Sequence, residues 1–252
     1  MEKARVFHTG EHITAHDVAK TIDHSLLRPD ITVKELIEGC DIARRYDCVS
    51  VCVRPSDLPI VCRELEGTDV LVTTVAAFPH GVATTESKVL ETIDAIKKGA
   101  VEVDMVMNIA RFLSEEYDYV ENDIRCVVEA AHPMDAKVKV IFENHYLTPE
   151  QIKLACQIAE RAGVDFVKTS TGYAPSGATI GDLKIMRASC SDKVSVKAAG
   201  GVRTLDAALA VLSTGTIRIG TRSTIAIMEE ALKREKEGTL VVKEEGELGG
   251  GY

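Results

Sequence analysis

Short apolar runs alternate with longer segments of helical periodicity along nearly the whole of this chain. The runs fall at 21–24, 48–53, 70–77, 101–107, 138–142, 164–168, 194–197 and 216–220, and they carry the β-branched residues of buried strands. Between them, 32–46 places Val33, Leu36, Ile37, Cys40, Ile42 and Ala43 at mostly three- and four-residue steps, which predicts an amphipathic helix. The stretch 85–98 does the same with Val89, Leu90, Ile93 and Ile96. Thr148-Pro149-Glu150-Gln151 reads as a helix start, with a hydroxyl cap, proline at the first helical position and Gln at the third. Thr204 caps a further helix over 205–212, which Gly215 ends.

Eight strands with helices between them, at steps of about 25 residues, predict an α/β fold that closes as a single (β/α)8 TIM barrel. The 252 residues of the chain suit it. The main competitor is a doubly wound open sheet, whose early glycine-rich turn is replaced here by Asp23-His24-Ser25. The barrel domain is placed at 1–236, with a short N-terminal helix, and 237–252 is expected to be a flexible C-terminal tail ending in Leu248-Gly249-Gly250-Gly251-Tyr252. His8, His12 and His16 recur every four residues and are expected to align on one solvated face of the N-terminal helix; no carboxylate or cysteine completes a metal pattern around them.

Composition narrows the partners. A net charge of −9 opposes nucleic acid or an anionic membrane as the main partner, and leaves room for a small anionic substrate at a local cationic site. No apolar run reaches a membrane span, the first residues have no secretory pattern, and the seven cysteines are scattered without a CxxC pair. The expected location is the cytoplasm, with reduced thiols packed in the core. Cys52, near a strand end, is set apart from the rest.

Chemistry concentrates where the apolar runs end, the face on which a TIM barrel carries its site. Those ends read Asp23, Cys52, Asp104, Glu143, Lys168, Lys197 and Gly220. A lysine inside an apolar strand is costly unless it is paired or loses its proton, and an amine without its proton can attack a carbonyl. If Lys168 and Lys197 converge, each disfavours the other's charge. Asp104 can then move protons during carbinolamine formation and dehydration, and Asp23 can orient a relay water or a substrate hydroxyl. Gly172, Gly200, Gly201 and Gly220 follow the last three strands, where backbone N–H groups can hold a phosphate, with a hydroxyl from Ser223.

These features stand together in ordered motifs: 22–29 (IDHSLLRP), 50–53 (SVCV), 78–81 (FPHG), 102–106 (EVDMV), 166–172 (FVKTSTG), 196–203 (VKAAGGVR) and 218–221 (RIGT). In them the chain resembles the deoxyribose-phosphate aldolases, class I enzymes on a TIM barrel, from about Ile22 to Met228. The resemblance implies reversible cleavage of 2-deoxy-D-ribose 5-phosphate to D-glyceraldehyde 3-phosphate and acetaldehyde, without cofactor or metal. It implies Lys168 as the Schiff-base nucleophile, Lys197 as the neighbouring amine that lowers its pKa, and Asp104 as the proton-transfer residue. Asp23 and Ser25 contact the donor end and the substrate hydroxyls. Thr171, Gly172, Gly200, Gly201, Val202, Gly220, Arg222 and Ser223 take the phosphate end, and a C-terminal Tyr252 takes part in proton transfer at the enamine carbon. Cys52 matches a cysteine that reactive aldehydes capture in some members.

The chain departs from the family pattern at Arg222, where serine is usual, at Tyr173, and at Asn144-His145 and Arg54. Expected partners are aldehydes and sugar phosphates, with a second copy of the chain in a homo-oligomer, a dimer first. Two other readings stay open. One is a related Schiff-base aldolase with a different aldehyde acceptor, which Arg222 and Tyr173 motivate. The other is a non-catalytic sugar-phosphate-binding barrel, which the two lysines and Asp104 oppose.

Overall fold

Thr14, Thr32 and Thr148 each stand three residues before Asp17, Glu35 and Gln151, and each forms a reciprocal capping box. The threonine hydroxyl accepts the third helical N–H while the acidic or amide side chain accepts the threonine N–H, so two otherwise orphaned donors are satisfied. These caps fix where helices begin: α1 (Ala15–Ala19), α2 (Val33–Tyr46) and, later, α7 (Pro149–Ala162). The computed structural model describes residues 5–249, and between these helices lie α3 (Leu58–Glu64), α4 (Thr85–Lys97), α5 (Ile109–Leu113) and α6 (Tyr117–Ala131). The chain finishes with α8 (Ile180–Ser189), α9 (Leu205–Ser213) and α10 (Thr224–Lys236).

The apolar runs form β1 (Ile22–Leu26), β2 (Ser50–Val53), β3 (Leu71–Ala76) and β4 (Glu102–Val106), then β5 (Lys137–Ile141), β6 (Phe166–Lys168), β7 (Ser195–Ala199) and β8 (Arg218–Thr221). They pair in parallel in sequence order, and β8 closes on β1 with Ile22 opposite Ile219 and Asp23 opposite Gly220. That closure is the TIM barrel and excludes the open sheet. The apolar core lies between strands and helices, where Val51, Val103, Val138, Val167 and Val196 meet the inner faces of the helices. A buried ion pair lies in the same shell. Lys88 of α4 meets Asp123 of α6 at 2.5 Å and also donates to the carbonyl of Val106, which ties both helices to the end of β4.

The N-terminal region differs from its expectation. Helix α1 holds His16 alone of the three histidines. Thr9 and Gly10 turn the chain, Gly10 at φ +84°, and His12 pairs as an antiparallel bridge with Val241. Backbone pairing with the segment after α10 takes the place of a longer helix, because it lets Phe7 and Ile13 be buried. The same pairing seats the beginning of the expected tail. Leu240 and Val242 are buried, and Gly246 lies so close to the carbonyl of Asp206 on α9 that a side chain there would collide with it.

His24 is buried on β1, with Nδ1 2.8 Å from the hydroxyl of Thr224 at the start of α10. Burial pushes its pKa from 6.5 down to about 4. The unfolded imidazole therefore takes a proton at a pH where the folded one does not. Stability is complete above pH 6.5 and is lost as pH falls toward 4. Between pH 7 and pH 5 the loss from this group is expected to be about 2 kcal/mol. Urea unfolding at both pH values should show a smaller drop for His24→Asn than for the parent chain. An equal drop rejects His24 as the source.

Candidate active site

Alternation along each strand sends every second side chain into the barrel. On β4 this turns Glu102 and Asp104 inward, on β5 Lys139, on β6 Phe166 and Lys168, and on β8 Arg218. Register sets Lys168 beside Lys197 and Asp104 beside Lys139. Asp104 is where they meet. Its Oδ2 accepts from the Nζ atoms of Lys168 and Lys197, both at 2.8 Å, and its Oδ1 accepts from Nζ of Lys139 at 2.8 Å. Lys197 also pairs closely with Asp23, which in turn accepts from Ser50 Oγ and Arg218 Nε, each at 2.7 Å.

The two lysines differ in charge tendency. Burial, reinforced by Lys197, holds the Lys168 amine below its ordinary value although Asp104 opposes both. Burial works against the charge of Lys197 too, but Asp104 and Asp23 outweigh it and raise its pKa. The same contest raises Lys139, through Asp104 and Glu102. For Asp104 itself, burial is outweighed by Lys139, Lys168 and Lys197, so its carboxyl stays well below the usual range. The asymmetry follows from counting: Lys197 has two carboxylates in contact, Lys168 one.

Lys168 opens onto a hollow at the C-terminal ends of β1, β6, β7 and β8. Ser25, Thr171, Gly172, Gly200, Gly201 and Val202 line it. So do Gly220, Arg222 and Ser223, with Gly220 inside β8 instead of after it. Gly200 and Gly201 have φ of +79° and +87°, left-handed conformations that favour glycine. A side chain at Gly201 would meet the carbonyl oxygen of Gly249, whose own N–H donates to the Gly201 carbonyl at 2.9 Å. The segment after α10 therefore reaches the rim of the hollow. Tyr252 lies outside the described residues.

Asp104, Lys197 and Asp23 do not line the hollow; they stand one layer deeper. Asp23 is the second residue of a β1 that continues to Leu26, so it is not a strand-end residue, and Ser25 reaches the hollow in its place. Cys52 is also buried, and burial raises its thiol pKa, which keeps it in the less reactive neutral form.

Three of the residues that depart from the family pattern, Tyr173, Arg54 and His145, brace the loops. Tyr173 donates to the Leu27 carbonyl at 2.9 Å and meets Phe78 edge-on at 5.5 Å. Arg54 pairs with Asp57 and donates to the carbonyls of Arg28, Pro29 and Ile31, and His145 meets Ser176 Oγ at 2.7 Å. Glu143 takes a left-handed backbone at the end of β5 and accepts from both the N–H and the hydroxyl of Thr171. Several residues around the hollow and beneath it were not singled out from the sequence as site residues: Arg203 and Thr221 on the rim, and Glu102, Lys139 and Arg218 below. The signal for the last three was present. Each is a charge inside an apolar run, the feature that marked Lys168.

A family model described as DeoC/LacD family aldolase matches residues 14–222. The deoxyribose-phosphate aldolase of Thermoanaerobacter sp. (strain X514) is 47% identical over 215 residues, covering 85% of this chain and 96% of that protein. A solved structure from Coccidioides immitis superposes with a TM-score of 0.85 at 35% identity, covering 91% of each chain. The tetrameric deoxyribose phosphate aldolase of Aeropyrum pernix gives a TM-score of 0.80 at 28% identity, covering 86% of this chain and 92% of that one.

Proposed function

The chain belongs to the DeoC/LacD family of aldolases, and from that membership we propose that it reversibly cleaves 2-deoxy-D-ribose 5-phosphate to D-glyceraldehyde 3-phosphate and acetaldehyde through a Schiff base on Lys168. The observation that carries this reading is a buried lysine, held below its ordinary pKa, that opens onto a glycine-lined hollow. The open-chain aldehyde carbon accepts the Lys168 amine to give a carbinolamine, which loses water to an imine. Loss of the C3 hydroxyl proton breaks the C2–C3 bond and releases the phosphorylated aldehyde. The electron pair passes into the imine as an enamine, so the nitrogen serves as the electron sink. Protonation at C2 and hydrolysis release acetaldehyde.

Asp104, bonded to both Lys168 and Lys197, passes the protons of carbinolamine formation and dehydration. Asp23 holds Lys197 in its charged form from below. Tyr252 is assigned the proton at the enamine carbon, with the hydrogen bond from Gly249 to Gly201 bringing the chain to the rim. The phosphate meets backbone N–H groups of Gly172, Gly200, Gly201 and Gly220, and the hydroxyl of Ser223 at the N-terminus of α10. Arg222 on the same rim adds a cation. The proposed setting is the cytoplasm, and no helix among the described residues is long and apolar enough to cross a membrane. The proposed assembly is a homodimer.

Comparing turnover of 2-deoxyribose with and without its 5-phosphate tests the reading. The phosphate is expected to raise kcat/KM by at least about 100-fold, the worth of two or more charge-assisted hydrogen bonds. Equal turnover would move the assignment to a Schiff-base aldolase with a different, unphosphorylated acceptor.

A further inference from the structure

Beneath the hollow the buried charges form a closed ring. Asp23 pairs with Arg218 at 2.7 Å, Arg218 with Glu102 at 2.6 Å, Glu102 with Lys139 at 2.5 Å, and Lys139 with Asp104 at 2.8 Å. Asp104 then pairs with Lys197 at 2.8 Å, and Lys197 returns to Asp23. Acid and base alternate around it, three of each. No member is more than 6% exposed. Phe166 packs against the ring from below, with its centroid 5.6 Å from both Lys139 Nζ and Arg218 Cζ.

Lys168 hangs from this ring by Asp104 alone. Each ring acid already faces two ring bases, so the ring is neutral when all six members are charged. A seventh, protonated amine would leave an uncompensated positive charge in a buried site, which is costly. We propose that Glu102 and Arg218, which lie on the far side of the ring from Lys168, are positioning residues that set the charge state of the nucleophile by closing this neutral ring. The inference rests on Lys168 being the Schiff-base lysine. It assigns the neutral amine to the balance of the whole ring, where the sequence reading assigns it to burial and the neighbouring Lys197.

The groups around Lys168 are Asp104 from β4, Lys197 from β7, Lys139 from β5, Glu143 just after β5 and Cys52 from β2, with Arg203 and Arg222 on the rim above. Glu143 is engaged by Thr171, and like the rim arginines it is unchanged in every variant below. The sign of each shift therefore comes from the ring.

The test is the pH dependence of acetaldehyde imine formation on Lys168, read by borohydride trapping and peptide mass spectrometry, alongside the acid limb of kcat/KM. Arg218→Gln leaves the ring one base short, so a proton on Lys168 restores balance and the acid limb moves up by about one pH unit or more. Glu102→Gln leaves it one acid short and moves the limb down. The double variant is balanced again and returns to within about 0.3 units of the parent. Arg218→Lys, which keeps the charge and changes the shape, leaves the limb in place. A purely structural role would lower activity in both single variants without opposite shifts. The two singles answer independently should one of them fail to fold. Limbs that stay put, or move the same way, overturn the ring proposal while trapping on Lys168 still stands. Absence of trapping on Lys168 in the parent chain overturns the Schiff-base reading itself.

Discussion

Lys168→Met is expected to lower retro-aldol turnover by about 10⁴-fold or more, because among the described residues no other lysine lines the hollow to form the imine. Borohydride reduction with acetaldehyde should leave an N-ethyl group on Lys168 of the parent chain and nothing on the variant. The same substitution should leave stability unchanged or raise it. Lys168 stands outside the ring of paired charges, so its removal deletes a buried amine and leaves the six ring members paired. Replacing a buried ionisable group by an apolar one of similar size is often neutral or stabilising. An inactive variant with an undiminished unfolding midpoint separates a chemical role for this lysine from a structural one. Label on Lys197 instead of Lys168 would sink the assignment.

Asp104→Asn is expected to fail on both counts. The carboxylate accepts from three lysines, and an amide is uncharged and can accept at one atom only, so Lys139 and Lys197 each lose one of their two carboxylate partners. Breaking a buried pair in this way costs about 3–5 kcal/mol. Catalysis should fall by about 10²–10⁴-fold from loss of the proton-transfer group. Urea unfolding measures the first, and single-turnover imine formation the second. A variant within about 1 kcal/mol of the parent would show that Asp104 does not hold Lys139 and Lys197 charged.

Lys168 and Asp104 illustrate how the site could be found before the fold. Charged residues are depleted from apolar strands, so two lysines and two aspartates in separate runs carried information. Lys139 carries the same information, but it lies two residues inside its strand, away from the end at which a barrel carries its site. Asp23 shows the opposite error. A strand read as ending at residue 24 continues to Leu26, which takes Asp23 from the rim to the layer below. The histidines at the N-terminus followed a helical spacing, but burial of Phe7 and Ile13 through pairing with the segment after α10 was worth more to the chain than that helix.

By itself the sequence determined the alternation of strand and helix, the caps that start the helices, the glycines of the late loops and the identity of the two lysines. These are local properties: period, turn chemistry and the cost of a charge among apolar neighbours. Tertiary structure alone decided which charges meet. Arg218 lies 195 residues from Asp23 and 116 from Glu102, and only the closure of β8 on β1 and the inward turn of every second side chain bring them into one ring. Periodicity says that a side chain faces the barrel interior. The register of eight strands says what it finds there.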